Sequence, residues 1–217
     1  FSKVEQIAAL RQWSGESHPC RTDEKLDTAV AALLASGHRE FVVKRAFSTA
    51  GSGIRALTVE ELAALPERGL KSSTLAEGGI LLEPRHDRVF DFSVQFLIGD
   101  GWIRRLGFVE QIVTRQGGYR GSIVRTKFCK DHPPALARFL MNEVLSLYAE
   151  DGPFSADLLA WADRHGYRGN LGIDAYVHRL PDGSLALRAL CEINPRCTMG
   201  LVALELKRRI RPGRDLL

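Results

Sequence analysis

Apolar residues in the first third of the chain recur at helical spacing. Val4, Ile7, Ala8 and Leu10 form one stripe and predict a helix over Ser2–Trp13, with Ser2 as its cap. "SGESHPCRT" reads as a loop. Leu26, Ala29, Val30, Leu33 and Leu34 form a second stripe, capped by Thr22 or Asp23 and stopped by Gly37. "EFVVK" is a short apolar strand ending in Lys44, followed by the glycine-containing loop "RAFSTAGSGIR". "TVEELAAL" predicts a brief helix in which Thr58 and Glu61 have capping-box spacing.

The period changes near residue 85. "GILLEP" is an apolar strand. "VFDFSVQFLI" alternates strictly, with Val89, Asp91, Ser93 and Gln95 on one side and Phe90, Phe92, Val94 and Phe96 on the other. "GDG" at 99–101 marks a hairpin turn, and "WIRRLGFVEQIV" returns as the partner strand. "TRQGGYRG" reads as a basic, glycine-rich loop. Pro133 and Pro134 open a long helix, and "SADLLAWADRHG" is a second one ending at Gly166. Two strands joined by a "PDG" turn follow, and "TMGLVALELKRRI" closes the pattern as a helix. Antiparallel hairpins mixed with helices make the class α+β. The shift near residue 85 divides the chain into two lobes, 1–85 and 86–217.

Bulk properties narrow the function. The 217 residues are 45% hydrophobic and 26% charged, an ordinary soluble composition with no membrane-length apolar run. Net charge is +4, but the basic residues are scattered, and the one dense run, "ELKRRIRPGR", lacks interleaved aromatics. A solvated helix end explains that run better than a nucleic-acid patch, so neither a nucleic-acid nor a membrane partner is expected. Four cysteines without C-x-x-C spacing argue against zinc and suit a reducing, cytoplasmic setting.

The chemistry concentrates in "LRALCEINPRCTMG". With "PDG" at the turn, residues whose numbers sum to about 365 or 366 face each other, which sets Asp174 opposite Glu192 or its neighbour. Glu192 and Asn194 lie two apart and share a face. Three oxygen donors then converge between apolar neighbours. Two readings remain open from the hairpin alone: a strand-end cluster exposed to water, or a hard-cation site in which Mg²⁺ offsets the carboxylates' repulsion and lost hydration. Lys44 before "STAGSGIR" likewise reads as a strand end before a flexible connection, or as a lysine and glycine loop facing phosphates. The loop is neither a Walker A motif nor a dinucleotide fingerprint, since Ala56 stands where the third glycine would be.

Taken together and in order, these segments resemble the ATP-grasp superfamily, in particular the nucleotide-binding regions of biotin carboxylase and D-alanine–D-alanine ligase. "GIDAYV" followed by "EINPR" carries most of the resemblance. It implies two α+β lobes whose antiparallel sheets clasp a nucleotide. Carried over by position, Lys3 and Lys44 contact phosphates, and Ser52 and Gly53 lie in the covering loop. Glu83 and Arg85 lie at the adenine hinge, and Asp91 falls where a carboxylate holds the ribose hydroxyls. Asp174, Glu192 and Asn194 hold one or two Mg²⁺, with Mn²⁺ as a substitute, and Arg196 faces the transferred phosphate or substrate carboxylate. Lys44 and Arg196 are the catalytic pair.

The implied activity is ATP-dependent ligation. A carboxylate is activated as an acyl phosphate and an amine or similar nucleophile displaces the phosphate, the two substrates being unspecified. An ATP-grasp kinase or carboxylase, or a nucleotide-binding module without turnover, are the alternatives, and a homo-oligomer is compatible with each. The loop has fewer glycines than biotin carboxylase, and Asp174 replaces the glutamate of some members. The chain opens at Phe1, next to the Lys3 segment, so the preceding domain of other members is expected to be absent or supplied elsewhere.

Overall fold

A computed structural model describes residues 1–47, 53–63, 77–114 and 118–210. The described residues form two compact units: those within Phe1–His86 and Val113–Tyr119, and those within Asp87–Ile112 and Arg120–Leu217. Two sheets with accompanying helices make the fold α+β.

The first unit holds α1 (Lys3–Ala9), a 3₁₀ turn (Arg11–Trp13), β1 (His18–Cys20), α2 (Asp23–Ala35), β2 (Glu40–Arg45), β3 (Ile54–Thr58), α3 (Val59–Ala63) and β4 (Ile80–Pro84). The four strands pair antiparallel in the order β1-β4-β2-β3. One face of the sheet is its core: Phe41, Val43, Leu57, Ile80 and Leu82 pack with Leu26, Ala29 and Leu33 of α2. Thr22 caps α2 by accepting the Lys25 N–H. Thr58 and Glu61 form the expected reciprocal box, the Thr58 N–H donating to Glu61 at 2.9 Å and the Glu61 N–H to Thr58 at 3.3 Å.

Three sequence expectations change here. The first helix ends at Ala9 because Leu10 leaves the helical region, and the Ser2 side chain does not cap it. Segments read as loops supply β1 and β3 instead. Both are short, and β1 contains a proline, so periodicity had almost nothing to register.

The second unit holds β5 (Asp87–Gly99), β6 (Trp102–Val113) and β7 (Tyr119–Ile123). The next helix, α4, runs over Pro134–Phe139, a π-helical stretch Leu140–Val144 and a last turn Leu145–Leu147. After it come α5 (Pro153–Arg164), β8 (Gly169–Arg179), β9 (Leu185–Asn194) and α6 (Met199–Ile210). Its sheet is antiparallel in the order β7-β6-β5-β8-β9, and β7 occupies sequence read as loop. The alternation in β5 sorts the two faces as expected. Phe92 packs with Phe90, Phe108, Phe128 and Tyr148, and Tyr148 in turn meets Phe154 of α5. The Tyr148 hydroxyl is satisfied by the Ala189 carbonyl at 2.6 Å. The opposite face carries Asp91, Ser93 and Gln95. Among the described residues no helix is long and apolar enough to cross a membrane.

Candidate functional site

Each unit gathers part of the chemistry. In the first, Val42 pairs with Glu83 and Lys44 with Leu81, so Lys44 and Glu83 are diagonal neighbours on the sheet face away from α2. Their side chains form an ion pair at 2.6 Å. Ser17 immediately precedes β1, where His18 opposes Leu82, and its hydroxyl donates to the other Glu83 oxygen. Lys3 is buried, and its backbone N–H donates to Ala46 two residues beyond Lys44. Two cations of the expected phosphate set thus lie along one end of β2. The Gly53 carbonyl accepts from Arg45 at 3.1 Å, which closes the β2–β3 connection, and Ser52 lies outside the described residues. At the expected hinge, Glu83 is buried, while Arg85 is exposed and donates its backbone N–H to the Glu40 carbonyl at 2.9 Å.

In the second unit the hairpin brings Asp174 directly opposite Glu192, with Ile173 opposite Ile193 and Gly172 opposite Asn194. The turn alone does not produce this. Near it, Arg179 faces Leu185 and Tyr176 faces Arg188. Between Asp174 and Tyr176 the register shifts, and two extra residues of β9 are absorbed. An even insertion keeps side chains on their original faces, so the carboxylates still converge.

Asp174 is clamped by two amides. Gln111 Nε2 donates to Oδ1 and Asn194 Nδ2 to Oδ2, both at 2.9 Å. The Arg196 guanidinium donates to Asn194 Oδ1 at 3.1 Å, and the Arg196 backbone N–H returns to the Asn194 carbonyl at 2.8 Å. Burial raises the Asp174 carboxyl above its ordinary value, outweighing the hydrogen bonds from Gln111 and Asn194 and the charge of Arg196. A carboxylate in that condition gains from a cation. Among the described residues no three His, Cys, Asp or Glu side chains converge, and the candidate donors here are two carboxylates and an amide. That donor set is all oxygen, and each Asp174 oxygen keeps a lone pair beyond its amide contact. It fits Mg²⁺, provided that Arg196 gives up the Asn194 carbonyl oxygen. Farther along the same face, Asp91 opposes Tyr176 and is paired with Arg88, whose guanidinium lies 4.3 Å from the Tyr176 ring centre.

Ser17, Gln111, Gln95 and Thr198 went unread in the sequence as site residues. For Gln95 a signal existed: it is a polar position in the alternating strand. Gln111 and Ser17 act on partners 63 and 66 residues away, which no local pattern encodes.

No known family profile matches the sequence. A curated protein, the "[Butirosin acyl-carrier protein]--L-glutamate ligase" of Niallia circulans, is 26% identical over 187 residues, covering 86% of this chain and 40% of that protein. Three solved structures are similar in fold. The biotin carboxylase domain of Hydrogenobacter thermophilus 2-oxoglutarate carboxylase, in complex with MgADP, ADP and bicarbonate, has a TM-score of 0.60 and 16% identity. Coverage is 94% of this chain and 42% of that one. N5-carboxyaminoimidazole synthetase from Staphylococcus aureus with ADP has a TM-score of 0.59 and 15% identity, over 94% and 47% of the two chains. D-alanyl-alanine synthetase A from Vibrio cholerae has a TM-score of 0.51 and 13% identity, over 90% and 54%. The chain therefore spans between two-fifths and just over half of each of these proteins. What two antiparallel sheets, their helices and these likenesses establish together is that the chain has the ATP-grasp fold.

Proposed function

We propose that the chain is the nucleotide-handling part of an ATP-dependent ligase that activates a substrate carboxylate as an acyl phosphate for attack by an amine or similar nucleophile. The pairing of Asp174 with Glu192, continued by Asn194 and Arg196 at the same strand end, carries this reading. It is supported by a relative named as a ligase of L-glutamate and by similar structures named as ADP complexes.

Phosphoryl transfer asks a protein for positioning and charge neutralisation more than for covalent chemistry. Asp174, Glu192 and Asn194 would hold Mg²⁺, which would supply charge neutralisation to the phosphates. Lys3 and Lys44 take phosphate contacts, with Ser52 and Gly53 covering them. Glu83 holds Lys44 in place through their ion pair. Backbone groups of the hinge at Glu83 and Arg85 serve the adenine edge, and Asp91 serves the ribose. Arg196 offers a planar, bidentate partner to a carboxylate or to the γ-phosphate. A carboxylate oxygen attacks the γ-phosphorus, ADP leaves, and the amine then displaces phosphate from the acyl carbon. The likeness to a biotin carboxylase domain bound to bicarbonate supports a second reading, with bicarbonate as the activated acid.

Titration calorimetry with a non-hydrolysable ATP analogue, with and without Mg²⁺, tests the proposal. Mg²⁺-dependent binding that Glu192→Ala abolishes is the expected result. Equal binding by a folded Glu192→Ala variant removes the metal assignment, and no binding by the wild-type chain removes the nucleotide reading. Product analysis with amine and with bicarbonate separates the two acids.

A further inference from the structure

Four side-chain contacts join the start of α6 to strand β8 in one directed chain. The Leu201 backbone N–H donates to Thr198 Oγ1 at 3.1 Å, and the Thr198 hydroxyl donates to Gln95 Oε1 at 2.6 Å. Gln95 Nε2 donates to Ser93 Oγ at 2.7 Å, and the Ser93 hydroxyl donates to the Ile173 carbonyl at 3.1 Å. A hydroxyl has one proton, so each link fixes the sense of the next. The Gln95 amide is thereby oriented, its oxygen toward Thr198 and its nitrogen toward Ser93. Gln95 is 1% exposed and Ser93 2%, so water cannot replace a lost partner.

The backbone leaves room for this chain of bonds. Gly172 of β8 lies across from Gln95, and Gly200 is in the first turn of α6. A Cβ on Gly200 would sit 2.9 Å from Gln95 Nε2, and one on Gly172 would sit 2.8 Å from Thr198 Cγ2. Both glycines stand where Gln95 and Thr198 need the volume.

The segment between β9 and α6 thus has two anchors. Asn194 holds its start to Asp174, and Thr198 holds its end to Gln95. Arg196 lies midway and is exposed. We infer that Gln95 is a positioning residue which, through Thr198, fixes residues 194–198 and so sets the Asn194 amide against Asp174, with the Arg196 guanidinium beside Asn194. The geometry stands by itself, and its functional consequence rests on the ligase reading.

Gln95→Met keeps the length of the side chain and removes both hydrogen bonds. Thr198→Val cuts the same link from the partly exposed end, and Thr198→Ser restores it. Two readouts are needed. The first is hydrogen exchange of the ligand-free chain over residues 195–201, expected to rise at least tenfold in Gln95→Met and Thr198→Val, with α5 unchanged and Thr198→Ser near wild type. The second is the Mg²⁺ half-saturation for binding the ATP analogue, expected to rise about tenfold or more in both variants, the usual scale for a residue that orients a ligand without touching the metal. Unchanged exchange over 195–201, in whichever of the two variants folds, overturns the inference. So does a wild-type Mg²⁺ half-saturation in a variant of a chain that binds the analogue. If the wild-type chain binds no analogue while exchange rises locally, the ligase reading fails and the anchoring stands.

Discussion

Lys44 and Glu83 form a buried ion pair whose worth can be worked out from its surroundings. The atoms are 2.6 Å apart, and the side chains are 14% and 4% exposed, so the pair is dry on the Glu83 side and damp on the Lys44 side. Removing one member of a buried pair costs roughly 3–5 kcal/mol, because the other charge is stranded. Lys44→Met strands Glu83 with the Ser17 hydroxyl still donating to it, which places the cost near the lower end, about 3 kcal/mol. Glu83→Gln leaves Lys44 a neutral acceptor and some water, so its cost is nearer 2 kcal/mol. The double variant strands no charge and should cost only about 2 kcal/mol in all, a coupling of about 3 kcal/mol. For a chain of 217 residues, Lys44→Met then lowers Tm by about 6–12 °C. Because the chain comprises two units, one unfolding curve need not be two-state. Denaturant unfolding is therefore paired with hydrogen exchange of β2 and β4, where the loss should concentrate. Additivity of the two single variants within about 0.5 kcal/mol would refute the argument.

Other consequences follow from burial. Asp174 has a carboxyl raised by desolvation, so folding favours its protonated form. Its contribution is fully present below the ordinary carboxylate value of about 3.9 and is lost as pH rises through the folded value. Asp174→Asn should therefore stabilise the ligand-free chain near neutral pH, seen as a higher Tm, with the advantage vanishing in acid. The Gln111 amide can turn to accept from the new Asn, and the variant should lose Mg²⁺-dependent analogue binding. A variant less stable than wild type at neutral pH would contradict this. Cys20 is 1% exposed with its thiol pushed up to about 11 by burial, whereas Cys197 is exposed. A maleimide at neutral pH should modify Cys197 within minutes and leave Cys20 untouched until the chain unfolds, as peptide mass spectrometry would report.

Much of this arrangement is legible along the chain. Period-2 alternation places Asp91, Ser93 and Gln95 on one face of β5 and the phenylalanines on the other, because a strand has only two faces. The "PDG" turn sets the hairpin, and the two-residue spacing puts Glu192 and Asn194 on one face of β9. Helix caps at Thr22 and Thr58 are local and were likewise readable. Short strands were not. β1 has three residues, too few to display a period, and it exists because β4 offers an edge.

The tertiary structure alone decided which residues support the site. Extrapolated from the turn at 99–101, β6 would place Glu110 across from Asp91 and turn Gln111 to the other face. A one-residue bulge between Gln95 and Phe96 reverses this: Phe96 faces Arg105, but Gln95 faces Gly107. Gln111 thereby reaches Asp174, while Glu110 turns away to pair with Arg125 at 2.8 Å. In β9 two residues are absorbed instead of one, so Glu192 keeps its face. Odd and even insertions have opposite consequences for every side chain beyond them, and where a strand takes up an extra residue is settled by packing against its neighbours. Local spacing therefore fixed which face Asp174, Glu192 and Asn194 share, and the register shift in β9 fixed that Asp174 and Glu192 stand opposite each other. The groups that clamp this donor set, Gln111 from β6 and the Gln95–Thr198 link across 103 residues, were determined only when the sheet closed.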